Sequence, residues 1–337
     1  MVNSNPRRND LGDALRVACD TLRNVWEFRE LGRMYDHYTH RANIIQGGQL
    51  TYGRDAWLER VTQQLTCFPD ARLFIDEVFA CEDESGNFRV ALRCTFVGTH
   101  LGHGVYGTPT GQRIVQPWLL LLRVADECIA EEWRAVDEVG LLRQLGWSDE
   151  AIRQAPPWGF SALEAPEVQG EIERLQGQLP PDPGNARENF EIGSFLRSTL
   201  HRLWNRRMVG RSDAGVDHYF RGHGNSRGER YGAQDFQEDV LGWLAMFPDL
   251  AHHIDDLIWV GGPREGFRAM LRWTWLGTHD GHGWLGAPTG RRVRVSGLSL
   301  LYVRNRRLTE GWTEFGEHTL WHTLAPSPAP VEPDAAE

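Results

Sequence analysis

Phe88, Val90, Leu92, Cys94 and Phe96 alternate with Arg89, Ala91, Arg93, Thr95 and Val97, the period-two pattern of a strand with one face buried. The same alternation returns over 267–276. Ahead of each strand the spacing is helical: Trp57, Val61 and Leu65 share one stripe over 55–67, as do Phe236, Val240 and Leu244 over 233–247. Earlier helical stretches cover roughly 11–38 and 186–220, and two more strands follow in each half, at 113–124 and 128–136, then 292–303 and 307–315. Helices followed by a strongly curved antiparallel sheet predict an α+β domain.

The pattern occurs twice because the sequence does. Tyr52–Leu141 aligns with Tyr231–Leu320 without a gap, pairing Phe68-Pro69-Asp70 with Phe247-Pro248-Asp249, Arg93 with Arg272 and Trp133 with Trp312. Shared spacing through whole strands implies one fold repeated. The expected organisation is a first domain over 11–147, a Pro-rich linker over 148–185, a second domain over 186–324, and a disordered tail over 325–337.

A chain of 337 residues suits two domains. Its formal charge of −10 argues against a nucleic-acid partner, which needs a basic face. No apolar run is long enough to span a membrane, and the start has no signal-peptide core, so a cytoplasmic protein is expected. The five cysteines lack C-x-x-C spacing and read as buried free thiols. Fourteen tryptophans weakly favour an aromatic-lined cavity for a small molecule.

Phe68-Pro69-Asp70, Gly98-Thr99-His100, Pro109-Thr110-Gly111, Glu132-Trp133 to Asp137, and the run from Gly140 to Gly146 resemble the SnoaL-like polyketide cyclase family in order and spacing. The resemblance covers about 22–146 and, more weakly at its ends, 196–322. It implies the nuclear transport factor 2-like fold: two tandem cone-shaped domains, each a curved antiparallel sheet wrapped around helices, packed as an intramolecular pseudo-dimer. A further homo-oligomer stays open. It also implies chemistry without cofactor, and an aspartate at the position of Asp137 acting as general acid/base.

Strand parity puts Trp133 and Asp137 on one face, so if Trp133 lines the pocket Asp137 does too, where an apolar wall raises a carboxyl pKa toward neutrality. The plain alternative is an aspartate capping the helix that follows. His100 continues the face carrying Phe96, and His279 the face carrying Trp275, so both are candidates to hydrogen-bond a carbonyl or enolate oxygen. Either could instead tie its loop to the backbone.

His103 and His282 complete H-x-x-H pairs on glycine-rich loops; a metal would need a third ligand, such as His37 or His40, and no metal is expected. His103 and His282 then rim the pocket mouth, with His40, which the resemblance places near the pocket, and His223 as its loose counterpart. In the second half Gly316 replaces Asp137, leaving Glu314, on the face of Trp312, as a displaced carboxylate or a solvated strand-end charge.

Two functions follow as expectations. One is a cofactor-independent acid/base enzyme, of cyclase, isomerase or lyase type, acting on a carbonyl-containing small molecule in a hydrophobic pocket. The other is a non-catalytic binding or scaffold protein, distinguished by a pocket filled by its own tryptophans or by Asp137 turned to its helix.

Overall fold

The alternation over 88–97 becomes a strand whose even positions, Val90, Leu92, Cys94 and Phe96, are all buried on the concave side of a six-stranded sheet. The computed structural model describes residues 11–157, 190–210, 215–224, 226 and 228–326. The expected tail beyond Pro326 and most of the expected linker lie outside the described residues, while Ala325 is buried at the end of the last helix.

The first domain runs α1 (Leu11–Trp26), a 3-10 turn (Leu31–Arg33), α2 (Met34–His37), β1 (Tyr38–Gln46), β2 (Gln49–Tyr52), α3 (Arg54–Cys67), β3 (Arg72–Glu82), β4 (Phe88–Thr99), β5 (Arg113–Ala125), β6 (Cys128–Val136), α4 (Glu138–Gln144) and α5 (Asp149–Gln154). The second runs α6 (Ile192–Leu200), which passes into a π-helical turn (His201–Asn205), β7 (Val216–His223), β8 (Arg230–Tyr231), α7 (Gly232–Met246), β9 (Ala251–Gly262), β10 (Gly266–Thr278), β11 (Arg292–Arg304), β12 (Arg307–Phe315) and α8 (Glu317–Leu324).

The sheets have matching orders, β2-β1-β6-β5-β4-β3 and β8-β7-β12-β11-β10-β9. They are mixed rather than wholly antiparallel, because β1 lies parallel to β6 and β7 parallel to β12. The first strand of each domain returns beside the last after a long crossover, which fixes that direction. The helical expectation over 186–220 also shortens: Gly215, at φ 81°, redirects the chain, and the β-favouring residues Val216, Tyr219 and Phe220 form β7.

Each sheet is covered on both faces. The concave side packs on its own domain's helices, as Val17, Leu22 and Trp26 of α1 do in the first. On the other side Phe79, Ala91, Leu119, Leu121 and Ala135 meet Ile258, Met270, Leu298 and Leu300 of the second sheet. The contacts are reciprocal. Arg272 lies 4.0 Å over the Trp133 ring and Arg93 lies 4.5 Å over the Trp312 ring, the self-complementarity of a two-fold interface placed within one chain. No helix of the described residues is long and apolar enough to cross a membrane.

Candidate functional site

Parity along β6 is opposite to the expectation anchored on Trp133. Glu132 and Arg134 point into the first domain, while Trp133 and Ala135 face the second sheet. Trp312 likewise packs in this seam. The physical reason is that the outer face is also dry, so an aromatic side chain has no cause to prefer the concave side. Glu314, on the face of Trp312, is 2% exposed in the seam; a solvated strand end does not describe it.

The inward residues fill the first domain. Arg134 and Glu132 form an ion pair at 2.5 Å with side chains 1% and 0% exposed. The guanidinium lies 4.4 Å from the ring of Trp118, 4.9 Å from Trp57 and 5.6 Å from Trp26. Gln46 Oε1 accepts from Arg134 Nε at 3.2 Å, and the Tyr38 hydroxyl donates to Glu132 at 2.5 Å. Burial, then the neighbouring Glu132, push that phenol well above its ordinary range. Phe96 stacks on Trp118 at 4.9 Å and belongs to this packed interior.

Aligned positions of the repeat change three of these side chains together: Trp118, Glu132 and Arg134 correspond to Gly297, Gly311 and Thr313. Gly311 and Thr313 line a cavity of the second domain, while Trp273 takes up the space over Gly297. The cavity measures about 120 Å³. A cavity of that size admits about one aromatic ring, and this one is not fully enclosed. The π-helical turn contributes Trp204, α7 contributes Phe236, Asp239 and Trp243, and β10 contributes Trp273 and Trp275. Across the floor, Trp273 Nε1 donates to Ser299 Oγ at 3.0 Å, and Ser299 Oγ lies 2.9 Å from Thr313 Oγ1. The charged wall residues Arg230 and Asp239 are paired at 3.3 Å.

His223 lines this cavity. Its ring stacks on Trp312 at 4.6 Å, and its Nε2 meets Glu310 at 2.9 Å while Nδ1 meets Glu229. It therefore bridges the cavity and the seam. His40 projects from β1 and is exposed, as are His103 and His282, so the structure gathers none of these three around a common interior point.

His100 and His279 are 0% exposed, but His279 is not among the residues lining the cavity. His100 Nδ1 accepts from Thr110 N at 3.3 Å and lies 3.2 Å from Thr110 Oγ1; His279 Nδ1 lies 3.3 Å from Thr289 Oγ1. Each imidazole thus ties its loop, with Nε2 buried and unbonded among the described residues. Burial lowers both pKa values.

The glycines of these loops have a packing role. Leu101 and Gly102 donate to Cys67 O at 3.1 and 3.2 Å, at the end of α3. A Cβ on Gly102 would stand 1.8 Å from Thr66 O, and one on Gly281 1.7 Å from Ala245 O. Gly102→Ala is expected to cost about 1–3 kcal/mol, as overpacking does; urea denaturation of the full chain measures it, and an unchanged midpoint contradicts the contact. Among the described residues no group of three or more His, Cys, Asp or Glu is arranged to hold a metal ion.

Asp137 stands where β6 turns into α4 and caps that helix, its Oδ1 accepting from Gly140 N at 2.7 Å. Burial raises its pKa despite the cap. Across the seam, Glu317 takes its Oε2 to Ser226 Oγ at 2.9 Å, while Oε1 is buried without a partner among the described residues. Burial first, and the Asp137 charge second, lift Glu317 to about 7. Around them Arg143 pairs with Asp149 at 2.9 Å, and Glu138 faces His318 at 3.6 Å; the His318 Nε2 lies 3.0 Å from Ile152 O and 3.1 Å from Ala155 O of α5 and its end. These groups join the domains, and α5, within the expected linker, is part of that joint.

Sequence reasoning missed Glu132, Arg134 and His252, which also lines the cavity. The signal for the first two was present: an aligned ion pair lost to glycine and threonine in the second repeat.

A family model for SnoaL-like polyketide cyclases matches the chain twice, over residues 14–145 and 195–322. Similar solved structures include AclR from Streptomyces galilaeus, at 26% identity over 41% of this chain and 98% of that one, with a TM-score of 0.36. IdmH from Streptomyces antibioticus is 25% identical over 41% of this chain and 100% of its own, with a TM-score of 0.35. A SnoaL-like protein from Jannaschia sp. CCS1 is 14% identical over 44% and 99%, with a TM-score of 0.37. No curated protein matches the chain.

Proposed function

The chain belongs to the SnoaL-like polyketide cyclase family, as two tandem domains of the nuclear transport factor 2-like cone fold, and from that premise we propose that it binds a small, largely apolar molecule in the cavity of the second domain. The first domain serves as the structural partner. The observation that carries this reading is the joint replacement of Glu132 and Arg134 by Gly311 and Thr313, which line a cavity in the second cone where a buried ion pair fills the first. A flat ligand there meets indole and phenyl walls, the setting in which aromatic burial is most favourable.

An acid/base reaction at Asp137 is the second reading, supported by the burial that raises its carboxyl pKa. Its cap on Gly140 and its position at the domain joint favour the binding reading. Asp239, the carboxylate on the cavity wall, is held by Arg230.

Calorimetric titration with 2-naphthol, one ring of which the cavity admits, separates the two. One site per chain is expected, lost at least tenfold in Ser299→Trp, which fills the floor, and unchanged in Asp137→Asn. Binding abolished by Asp137→Asn but insensitive to Ser299→Trp contradicts the assignment.

A further inference from the structure

The polar groups along the cavity floor satisfy one another, through Trp273, Ser299 and Thr313, and the charges on its wall are paired. His252 is different. It is 8% exposed, it lines the cavity, and no described residue hydrogen-bonds its ring. Its ring nitrogens are not fully shut off from the cavity, so a ligand oxygen placed there can reach them.

The fold holds this imidazole in place from three sides. Its ring stacks between Trp204, at 5.9 Å and 10°, and Trp273, at 5.4 Å and 28°. Its backbone is clamped by a single amide: Asn205 Nδ2 donates to His252 O at 2.8 Å, and His252 N donates to Asn205 Oδ1 at 2.7 Å. Trp204 and Asn205 are adjacent residues of the π-helical turn, so one local widening of the helix supplies both the stacking ring and the clamp. The first domain has no such arrangement. Leu73 occupies the aligned position of His252, and α1 ends at Trp26 without a π-turn.

We infer that His252 selects the ligand of this cavity, pairing through its imidazole with a hydroxyl or carbonyl oxygen of an uncharged, flat molecule. The inference rests on the second-domain cavity being the binding site. An imidazole has one donor and one acceptor nitrogen when neutral, so it serves either oxygen type. Burial pushes this one down to about 3, which keeps it neutral at physiological pH and makes it a binding group rather than a proton acceptor. A ligand anion or cation would find the wall charges already committed to each other.

The test compares three probes of one shape by calorimetry on the full chain: 2-naphthol, 2-methylnaphthalene and 2-naphthoate. The unaltered protein is expected to prefer 2-naphthol over 2-methylnaphthalene by about tenfold, the size of one net hydrogen bond. His252→Phe should remove that preference while still binding 2-methylnaphthalene, which shows that the cavity is intact, and His252→Gln should restore part of it. Equal affinity of the unaltered protein for 2-naphthol and 2-methylnaphthalene, a preference that survives in His252→Phe, or tighter binding of 2-naphthoate overturns the inference while leaving the cavity assignment standing. Failure of all three probes to bind overturns both.

Discussion

Glu132→Gln is expected to destabilise the folded chain by about 3–5 kcal/mol, the cost of breaking a buried ion pair from one side. The substitution keeps volume and shape but leaves the Arg134 guanidinium, 1% exposed, with aromatic faces and the Gln46 oxygen in place of a counter-charge. Replacing both partners, as Glu132→Leu with Arg134→Met, should recover part of the loss, since an apolar pair avoids the desolvation of two ions but leaves the Tyr38 hydroxyl and Gln46 Oε1 without their partners. Urea denaturation followed by tryptophan fluorescence reports directly, because Trp26, Trp57 and Trp118 surround the pair. A single variant within 1 kcal/mol of the parent, or a double variant worse than the single, contradicts this account of the first domain's interior.

The second large effect is a pH dependence set at the domain joint. Glu317 is raised from an ordinary 4.5 to about 7, by burial first and then by Asp137, against the pull of Ser226 and Arg143. Between those values the folded chain holds a proton that the unfolded chain has released, so stability falls as pH rises. The full contribution is present below about 4.5 and is lost by about 7, an amount of about 3 kcal/mol. Buried histidines such as His252 act in the opposite direction, since a lowered base favours the neutral fold as pH rises. The informative quantity is therefore the difference between Glu317→Gln and the parent. It should shift in the variant's favour by about 3 kcal/mol from pH 4.5 to 8, and Asp137→Asn should move the parent's transition to lower pH. Parallel profiles for Glu317→Gln and the parent contradict the burial of an ionisable carboxyl at this joint.

Much of the architecture was legible because it depends on local periodicity. β4 and its repeat β10 follow the alternation of Phe88 to Val97 and of 267–276, and α3 and α7 follow their apolar stripes. The strands that escaped notice, β1 to β3 and β7 to β9, include the edges of both sheets, where one-sided pairing leaves a weaker apolar pattern. Site residues were harder because their orientation depends on which sheet face is dry, and in this chain both are. Trp133 was a reasonable inward residue for a lone domain; the second sheet gave it an equally apolar outward position against Arg272. Asp137 and His100 each make a local bond, to Gly140 and to Thr110, the alternative that the sequence offers beside a pocket role. His252 carries no sequence signal of its own, since its setting requires Trp204 and Asn205 from a distant π-turn. The cavity of the second cone has its sequence correlate at Glu132 and Arg134, where the repeat loses volume and charge together.

On the proposed function, one cone is filled and the other receives a ligand. A crystal structure of the full chain soaked with 2-naphthol tests it most directly. One bound molecule is expected against Trp204, His252 and Trp273 of the second domain, with the Arg134–Glu132 pair of the first undisturbed. A molecule inside the first domain, with Arg134 displaced from its tryptophans, would contradict it.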